Sequence, residues 1–221
     1  MRLQFLQLIS ANRPFYLAYA AFLMSGLLFL AALGKEPLFL EMNRWQHPIA
    51  DGVAPWLTHL GDGLFALAFL LVFLLFNYRL ALTALLCFAA VLLLTQTGKL
   101  LLFEDALRPF AYFQAKGVNI RIIEGVKVHA HNSFPSGHAA SVFALFSFFA
   151  LRLKEKRWGL PLLLAAVLIA YTRVHIAQHF YGDVLAGSLL GILTVLSITA
   201  ALDAFYLRHP AAWHSKGLLK K

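Results

Sequence analysis

The sequence predicts an all-α, polytopic membrane protein with six transmembrane helices and a short extracytoplasmic lid-like loop, all in a single domain over residues 1–221. Three observations carry that prediction: composition, the spacing of uncharged runs, and the sidedness of the charge. Of the 221 residues 61% are hydrophobic and 13% charged, whereas soluble domains run at about 45–50% apolar and about 25% charged. Mean hydropathy is +0.73. Such a chain has too little polar surface to clothe a water-soluble globule. It also lacks the long charged or Gly/Ser-rich tracts of a disordered one. The length suits six crossings of roughly 20 residues each plus connections. The single cysteine, Cys87, excludes an intramolecular disulfide and a multi-Cys zinc site.

Taken in order, the first uncharged run covers residues 14–34, between Arg13 and Lys35. It is too long for a secretory h-region and no small-residue cleavage site follows Gly34, so it reads as a retained span. Residues 35–62, rich in Trp, His and Pro, read as an outer segment lying in the interface. Runs 63–78 and 80–98 are the second and third spans, split by Arg79. The long outer loop, about residues 99–135, contains VNIRII and VKVH around Glu124-Gly125, the pattern of a short β-hairpin that either lids a site at the membrane surface or is an ordered loop with no catalytic part. Runs 139–151 and 158–172 reach span length only by including His138 or Arg173, and polar groups at that depth face the bundle or a wet cavity. Run 184–202, between Asp183 and Asp203, is the sixth span. Gly187 and Gly191 form a small-xxx-small pair for close helix packing.

With the N-terminus inside, the inner face holds Arg2, Arg13, Arg79, Arg152, Lys154, Lys156, Arg157, Arg208, Lys216, Lys220 and Lys221, against only Glu155 and Asp203. Basic and acidic residues balance on the outer face. The whole excess of +9 therefore sits on one side, as the positive-inside rule expects of a cytoplasmic face. That predicts cytoplasmic termini in a cell (inner) membrane and attraction to anionic membrane lipids. It argues against nucleic acid as a partner.

Alternating crossings bring three polar clusters to one end of the bundle: Lys99 with Arg108-Pro109, then Pro135-Ser136-Gly137-His138, then Arg173 with His179 and Asp183. Lys99, Arg108 and Arg173 are fixed cations, and guanidinium forks suit phosphate oxygens. Ser136-Gly137 at a helix start offers free N–H groups and the positive dipole end. His179 and Asp183 stand four apart, within reach on one helix face. A carboxylate that fixes one ring nitrogen leaves the other more nucleophilic, and His138 is then free to act as general acid. The inventory describes phosphoryl transfer with cations on the equatorial oxygens.

These three clusters resemble the signature of the type 2 phosphatidic acid phosphatase superfamily, six-helix membrane phosphatases related to glucose-6-phosphatase and vanadium haloperoxidases. Pro-Ser-Gly-His matches in full, and Arg173 to Asp183 keeps the family spacing with Thr172 in place of Ser. Eight residues separate Lys99 from Arg108 where the family has six. The resemblance implies a phosphohistidine formed on His179 and oriented by Asp183, with His138 protonating the leaving group. It implies phosphate held by Lys99, Arg108, Ser136, Gly137 and Arg173, with no metal or cofactor. It also implies an extracytoplasmic site and a lipid phosphate substrate, a polyprenyl pyrophosphate, phosphatidylglycerophosphate or phosphatidic acid, with polyprenyl pyrophosphate or a glycerophospholipid preferred as the commonest roles in that family. A lipid A phosphatase or a lipid phosphotransferase using the same site is one alternative. From another class, His175, His179 and Asp183 at successive i+4 steps, joined by His129 and His131, suggest a metal or ion transporter.

Overall fold

The computed structural model describes residues 2–45 and 47–220, and every regular element among them is helical. Of the inner-face cations, Lys221 and the side chain of Arg2 lie outside the described residues. Helix α1 (Arg2–Ala11) leads into α2 (Arg13–Leu33), where Pro14 fits a first turn that needs no N–H from it. Gly34, at φ +78°, ends α2 and its N–H closes on Leu30 O at 2.9 Å. That backbone region favours glycine. Two short helices follow, α3 (Lys35–Arg44) and α4 (Pro48–Leu57), then a 3₁₀ turn (Thr58–Gly61), Asp62 and α5 (Gly63–Phe76). Asn77 separates α5 from α6 (Tyr78–Thr97), and its Oδ1 caps the Leu80 N–H at 2.9 Å. α6 runs on into a π turn (Gly98–Leu102), followed by α7 (Pro109–Ala115), α8 (Gly137–Arg152), α9 (Gly159–His175) and α10 (Tyr181–Arg208).

Each uncharged run is a helix. Among the described residues four helices are long and apolar enough to cross a membrane: Arg13–Leu33, Tyr78–Leu102, Lys156–His175 and Tyr181–Arg208. The pair Pro48–Gly61 and Gly63–Phe76, bent by 50°, makes a fifth if it is one span, and Gly137–Arg152 is apolar but shorter. α10 extends beyond its uncharged run at both ends because the bounding carboxylates are satisfied. Asp183 caps the helix start by accepting the Phe180 N–H at 3.0 Å, and Asp203 meets Arg79 at 2.7 Å.

α8 is the central helix, packed against α6, α9 and α10, with Ala139, Ala140, Val142, Phe143, Ala144 and Phe148 buried. Hydroxyl pairs between helices, Tyr16 with Ser147 at 2.9 Å and Tyr19 with Ser188 at 3.1 Å, tie α2 to α8 and α10. Gly187 and Gly191 let α10 ride directly on the α8 backbone, as the small-xxx-small spacing predicts. A Cβ on Gly187 would meet Ser136 O and lie 3.2 Å from Ala140 N; one on Gly191 would meet Ala140 O and lie 3.1 Å from Ala144 N.

The two ends of the bundle differ in chemistry. At one, Asp203 meets Arg79 and, at 3.8 Å, Arg152, and Lys216 O accepts the Tyr78 N–H at 2.7 Å. These are all residues expected on the inner face. The three polar clusters meet at the other end.

The expected β-hairpin is not formed. Residues 118–131 are irregular around a turn at Glu124-Gly125, with no strand pairing among the described residues. The alternating pattern satisfied the period of a strand, but the backbone groups found side chains. Arg121 exchanges two hydrogen bonds with the Asn43 amide at 2.9 and 3.0 Å, and Lys127 O accepts from Gln178 Nε2 at 2.9 Å.

Candidate active site

The start of α8 is spliced to the start of α10. Ser136 is buried as the N-cap of α8, its Oγ accepting the Ala139 N–H at 3.3 Å, while its own N–H donates to Asp183 O at 3.0 Å. The N–H groups of Gly137 and His138 open the helix, where no preceding turn can accept them. The end of α6 presses on the same place: a Cβ on Gly98 would lie 3.3 Å from Pro135 Cδ, and one on Gly137 would lie 3.8 Å from Lys99 Nζ. Here the π turn, closed by Phe103 N–H on Gly98 O at 3.0 Å, bends the chain as Lys99 reaches the site.

His179 departs from the expected geometry. It does not share a helix face with Asp183, because α9 stops at His175 and α10 begins at Tyr181. Ala177, at φ +54°, turns the chain back so that Arg173 O accepts the N–H groups of both Gln178 and His179, at 2.9 and 3.1 Å. The turn still delivers the ring to Asp183, with Nδ1 3.5 Å from Oδ2. That separation is too long for a well-formed hydrogen bond. The same oxygen already accepts from Ser133 Oγ at 2.5 Å and from the Phe180 N–H, so Asp183 is held in place before it meets the imidazole.

His179 is 1% exposed. Burial pushes its pKa down to about 3, outweighing the opposite pull of Asp183, and the charges of Arg173 and Arg108 add to the drop. The folded protein therefore keeps this ring neutral. The unfolded chain takes up a proton there once pH falls below about 6.5. Stability should thus decline as pH falls from about 6.5 toward 3, since the unfolded state binds more protons over that window. Thermal melts at about pH 7 and about pH 4 should show a larger fall for wild type than for His179→Gln. Equal falls would mean that other groups carry the acid sensitivity.

Arg108 precedes α7 and is fixed by Nε on His131 O at 2.9 Å and Nη1 on Gln178 Oε1 at 2.8 Å. Arg173, at the end of α9, donates Nη1 to Thr58 Oγ1 at 3.0 Å. Its buried Nε has no acceptor among the described residues, and an unsatisfied buried donor is a costly arrangement that an arriving anion would relieve. His138, on the first turn of α8, places Nε2 2.6 Å from Asp62 Oδ1.

A cavity of about 480 Å³ begins here. Its polar end holds Asp62, Lys99, Arg108, Gly137 and His138, and its walls are apolar side chains of α5 and α6, among them Leu67, Leu70, Leu85, Phe88 and Leu92. Ser136, Arg173, His179 and Asp183 do not line it; they lie buried at the same end of the bundle.

The structure thus gathers Lys99, Arg108, Ser136, Gly137, His138, Arg173, His179 and Asp183 at one place. The metal-binding face does not form. His175 turns to Asp51, Nε2 to Oδ1 at 2.8 Å, and no group of three His, Cys, Asp or Glu placed to hold a metal occurs among the described residues. Four participants have no spacing signal in the sequence: Thr58, Asp62, Ser133 and Gln178. Only Asp62 carried a hint, as a carboxylate directly before an apolar helix, where lone charge is expensive.

A family model described as the PAP2 superfamily matches residues 80–206. Among curated proteins, the chain is 41% identical over 59 residues to a lipid A 4'-phosphatase of Bacteroides thetaiotaomicron, covering 26% of each. It is 39% identical over 88 residues to a lipid A 1-phosphatase of Rhizobium etli, covering 38% of this chain and 37% of that protein. The aligned part spans only 26% and 37% of these relatives' length. Two solved structures share the fold. Aquifex aeolicus LpxE superposes with a TM-score of 0.62 at 24% identity, covering 73% of this chain and 92% of that one. The PAP2 type phosphatidylglycerolphosphate phosphatase of Bacillus subtilis gives 0.55 at 20% identity, covering 88% and 98%.

Proposed function

The chain belongs to the PAP2 superfamily, and from that premise we propose that it is an integral membrane lipid phosphatase that hydrolyses a phosphate monoester or pyrophosphate through a phosphohistidine. The observation that carries this reading is the cavity. One continuous space has cations and an imidazole at one end and hydrocarbon walls at the other, which is the chemistry of a lipid with a phosphorylated headgroup. Leu67, Leu85 and Leu92 on those walls are also exposed, so the tails can remain in the bilayer while the headgroup enters.

In the first step the Nε2 lone pair of His179 attacks phosphorus, and the bond to the leaving oxygen breaks. His138 gives that oxygen a proton. In the second, water attacks phosphorus, His138 takes its proton, and the P–N bond pair returns to His179. Asp183 stabilises the positive ring formed in between. Arg108, Arg173, Lys99 and the N–H groups of Gly137 and His138 hold the equatorial oxygens. The unsatisfied Arg173 Nε and the neutral His179 support these assignments.

Six crossings are part of the proposal: α2, α5 with the bent segment before it, α6, α8, α9 and α10. The positive face is cytoplasmic with both termini, and the loop of residues 99–135 is an outer lid over the site. The contacts of Lys127 O and His131 O with Gln178 and Arg108 support the lid.

A panel of lipid phosphates in detergent micelles tests this reading. The relatives put lipid A 1- and 4'-phosphates first, beside polyprenyl pyrophosphate, phosphatidylglycerophosphate and phosphatidic acid. Release of inorganic phosphate from at least one, persisting in EDTA and blocked by vanadate, is the expected result. Phosphate found on an acceptor lipid instead of in solution would make the enzyme a phosphotransferase. No turnover of any member would overturn the proposal.

A further inference from the structure

The turn between α4 and α5 touches the site twice, although no cluster in the sequence includes it. Thr58 Oγ1 accepts from Arg173 Nη1, and four residues later Asp62 meets His138. Gly61 makes the approach possible: a Cβ there would lie 2.9 Å from Val142 Cγ2 and 3.4 Å from His138 Cβ. Asp62 occupies the N-cap position of α5, yet its side chain caps none of that helix's N–H groups. Such a cap usually stabilises the helix it begins. Both carboxylate oxygens are used on imidazoles instead. Oδ1 lies 2.6 Å from His138 Nε2, and Oδ2 lies 2.7 Å from Nδ1 of His59, whose side chain is 66% exposed.

A negative charge on the wall of a cavity built for an anion weakens ligand binding, so its placement needs a compensating role. Asp62 is anchored as an anion: burial works to raise its pKa, but the bonds from His59 and His138 outweigh it and hold it below the usual range.

We propose that Asp62 is a positioning residue for His138: it accepts Nε2–H, fixes the ring's orientation and leaves Nδ1 as the nitrogen that gives and takes the proton. His59 holds the carboxylate from the water side. This rests on the function proposed above and adds a second carboxylate–histidine pair to that site. In the first step the proton leaves Nδ1 for the departing oxygen as its bond to phosphorus breaks, and Nε2–H stays with Asp62. In the second step Nδ1 accepts the proton of the attacking water.

The test compares wild type and Asp62→Asn on two soluble-headgroup esters in micelles, an alkyl phosphate and p-nitrophenyl phosphate. For the alkyl ester, kcat should fall by about 10–100-fold, the usual scale for losing an orienting partner. KM should stay level or drop, because a repelling charge has gone. For p-nitrophenyl phosphate, whose leaving group needs little protonation, the fall should be about threefold or less. Equal losses on both esters, or a gain in kcat on the alkyl ester, would overturn the proposal. Should Asp62→Asn not survive purification, Asp62→Glu answers the same question. Keeping the charge, it should retain at least about a tenth of kcat on the alkyl ester, with any loss again smaller on p-nitrophenyl phosphate. Wild-type inactivity on both esters and on the lipid panel would count against the phosphatase reading itself, not against Asp62 alone.

Discussion

Replacing His179 by Ala is expected to abolish phosphate release, with a loss of at least about 10³-fold, because on the proposed mechanism it removes the covalent nucleophile and leaves only charge and binding behind. The fold should survive. The backbone N–H of residue 179 still reaches Arg173 O, and Asp183 keeps Ser133 and the Phe180 N–H. The cost is the space left by one buried ring, about 1–3 kcal/mol, visible as a lowered but cooperative melt. A direct check is to quench turnover of labelled substrate in alkali, where a phosphorus–nitrogen bond persists, and then to acidify, where it breaks. Wild type should carry acid-labile label and His179→Ala none. Undiminished turnover in the variant would move the nucleophile elsewhere.

The second large effect is expected from the smallest possible change. Gly191→Ala and Gly187→Ala each add one methyl group against backbone of α8, not against the movable end of a side chain. Overpacking in a rigid contact costs about 1–3 kcal/mol and sometimes more, so each should lower the melting temperature in detergent. Gly187→Ala should also lose activity, since its methyl presses on Ser136 O, which begins the helix carrying His138. Gly52→Ala is the control. It lies inside α4 with nothing near the added atom, so it should be neutral or gain up to about 1 kcal/mol. If all three variants melt alike, the close approach of α8 and α10 contributes nothing to stability.

What the sequence reveals follows from where charge is tolerated. Uncharged runs locate α2, α5, α6, α8, α9 and α10 but not the shorter α1, α3, α4 and α7, and the glycine pair marks the α8–α10 contact. Boundaries at Asp183 and Asp203 fall short because a carboxylate stops a helix in lipid only when unpartnered, and both have partners. The eight residues of the three polar clusters come together at one end of the bundle, joined by contacts such as Ser136 N–H to Asp183 O and Nζ of Lys99 beside Gly137. His179 is reached by a turn, not by a helix face, since the left-handed Ala177 has no sequence signal. Thr58, Asp62, Ser133 and Gln178 escape a reading of spacing because each acts across the fold on a partner tens of residues away. The hairpin fails for a related reason. A period of two predicts extended backbone, but it cannot say whether a strand or an Asn43 side chain will answer the hydrogen bonds.

Under the proposed function, the leucine walls that α5 and α6 give the cavity set the unit in which this protein counts its substrate. A headgroup arriving sideways is delivered by diffusion in two dimensions, so turnover should track mole fraction in the surface more than molarity in the bulk. Diluting the substrate with inert detergent or lipid at fixed total concentration should therefore slow the enzyme, whereas an inhibitor without a tail would be insensitive to such dilution.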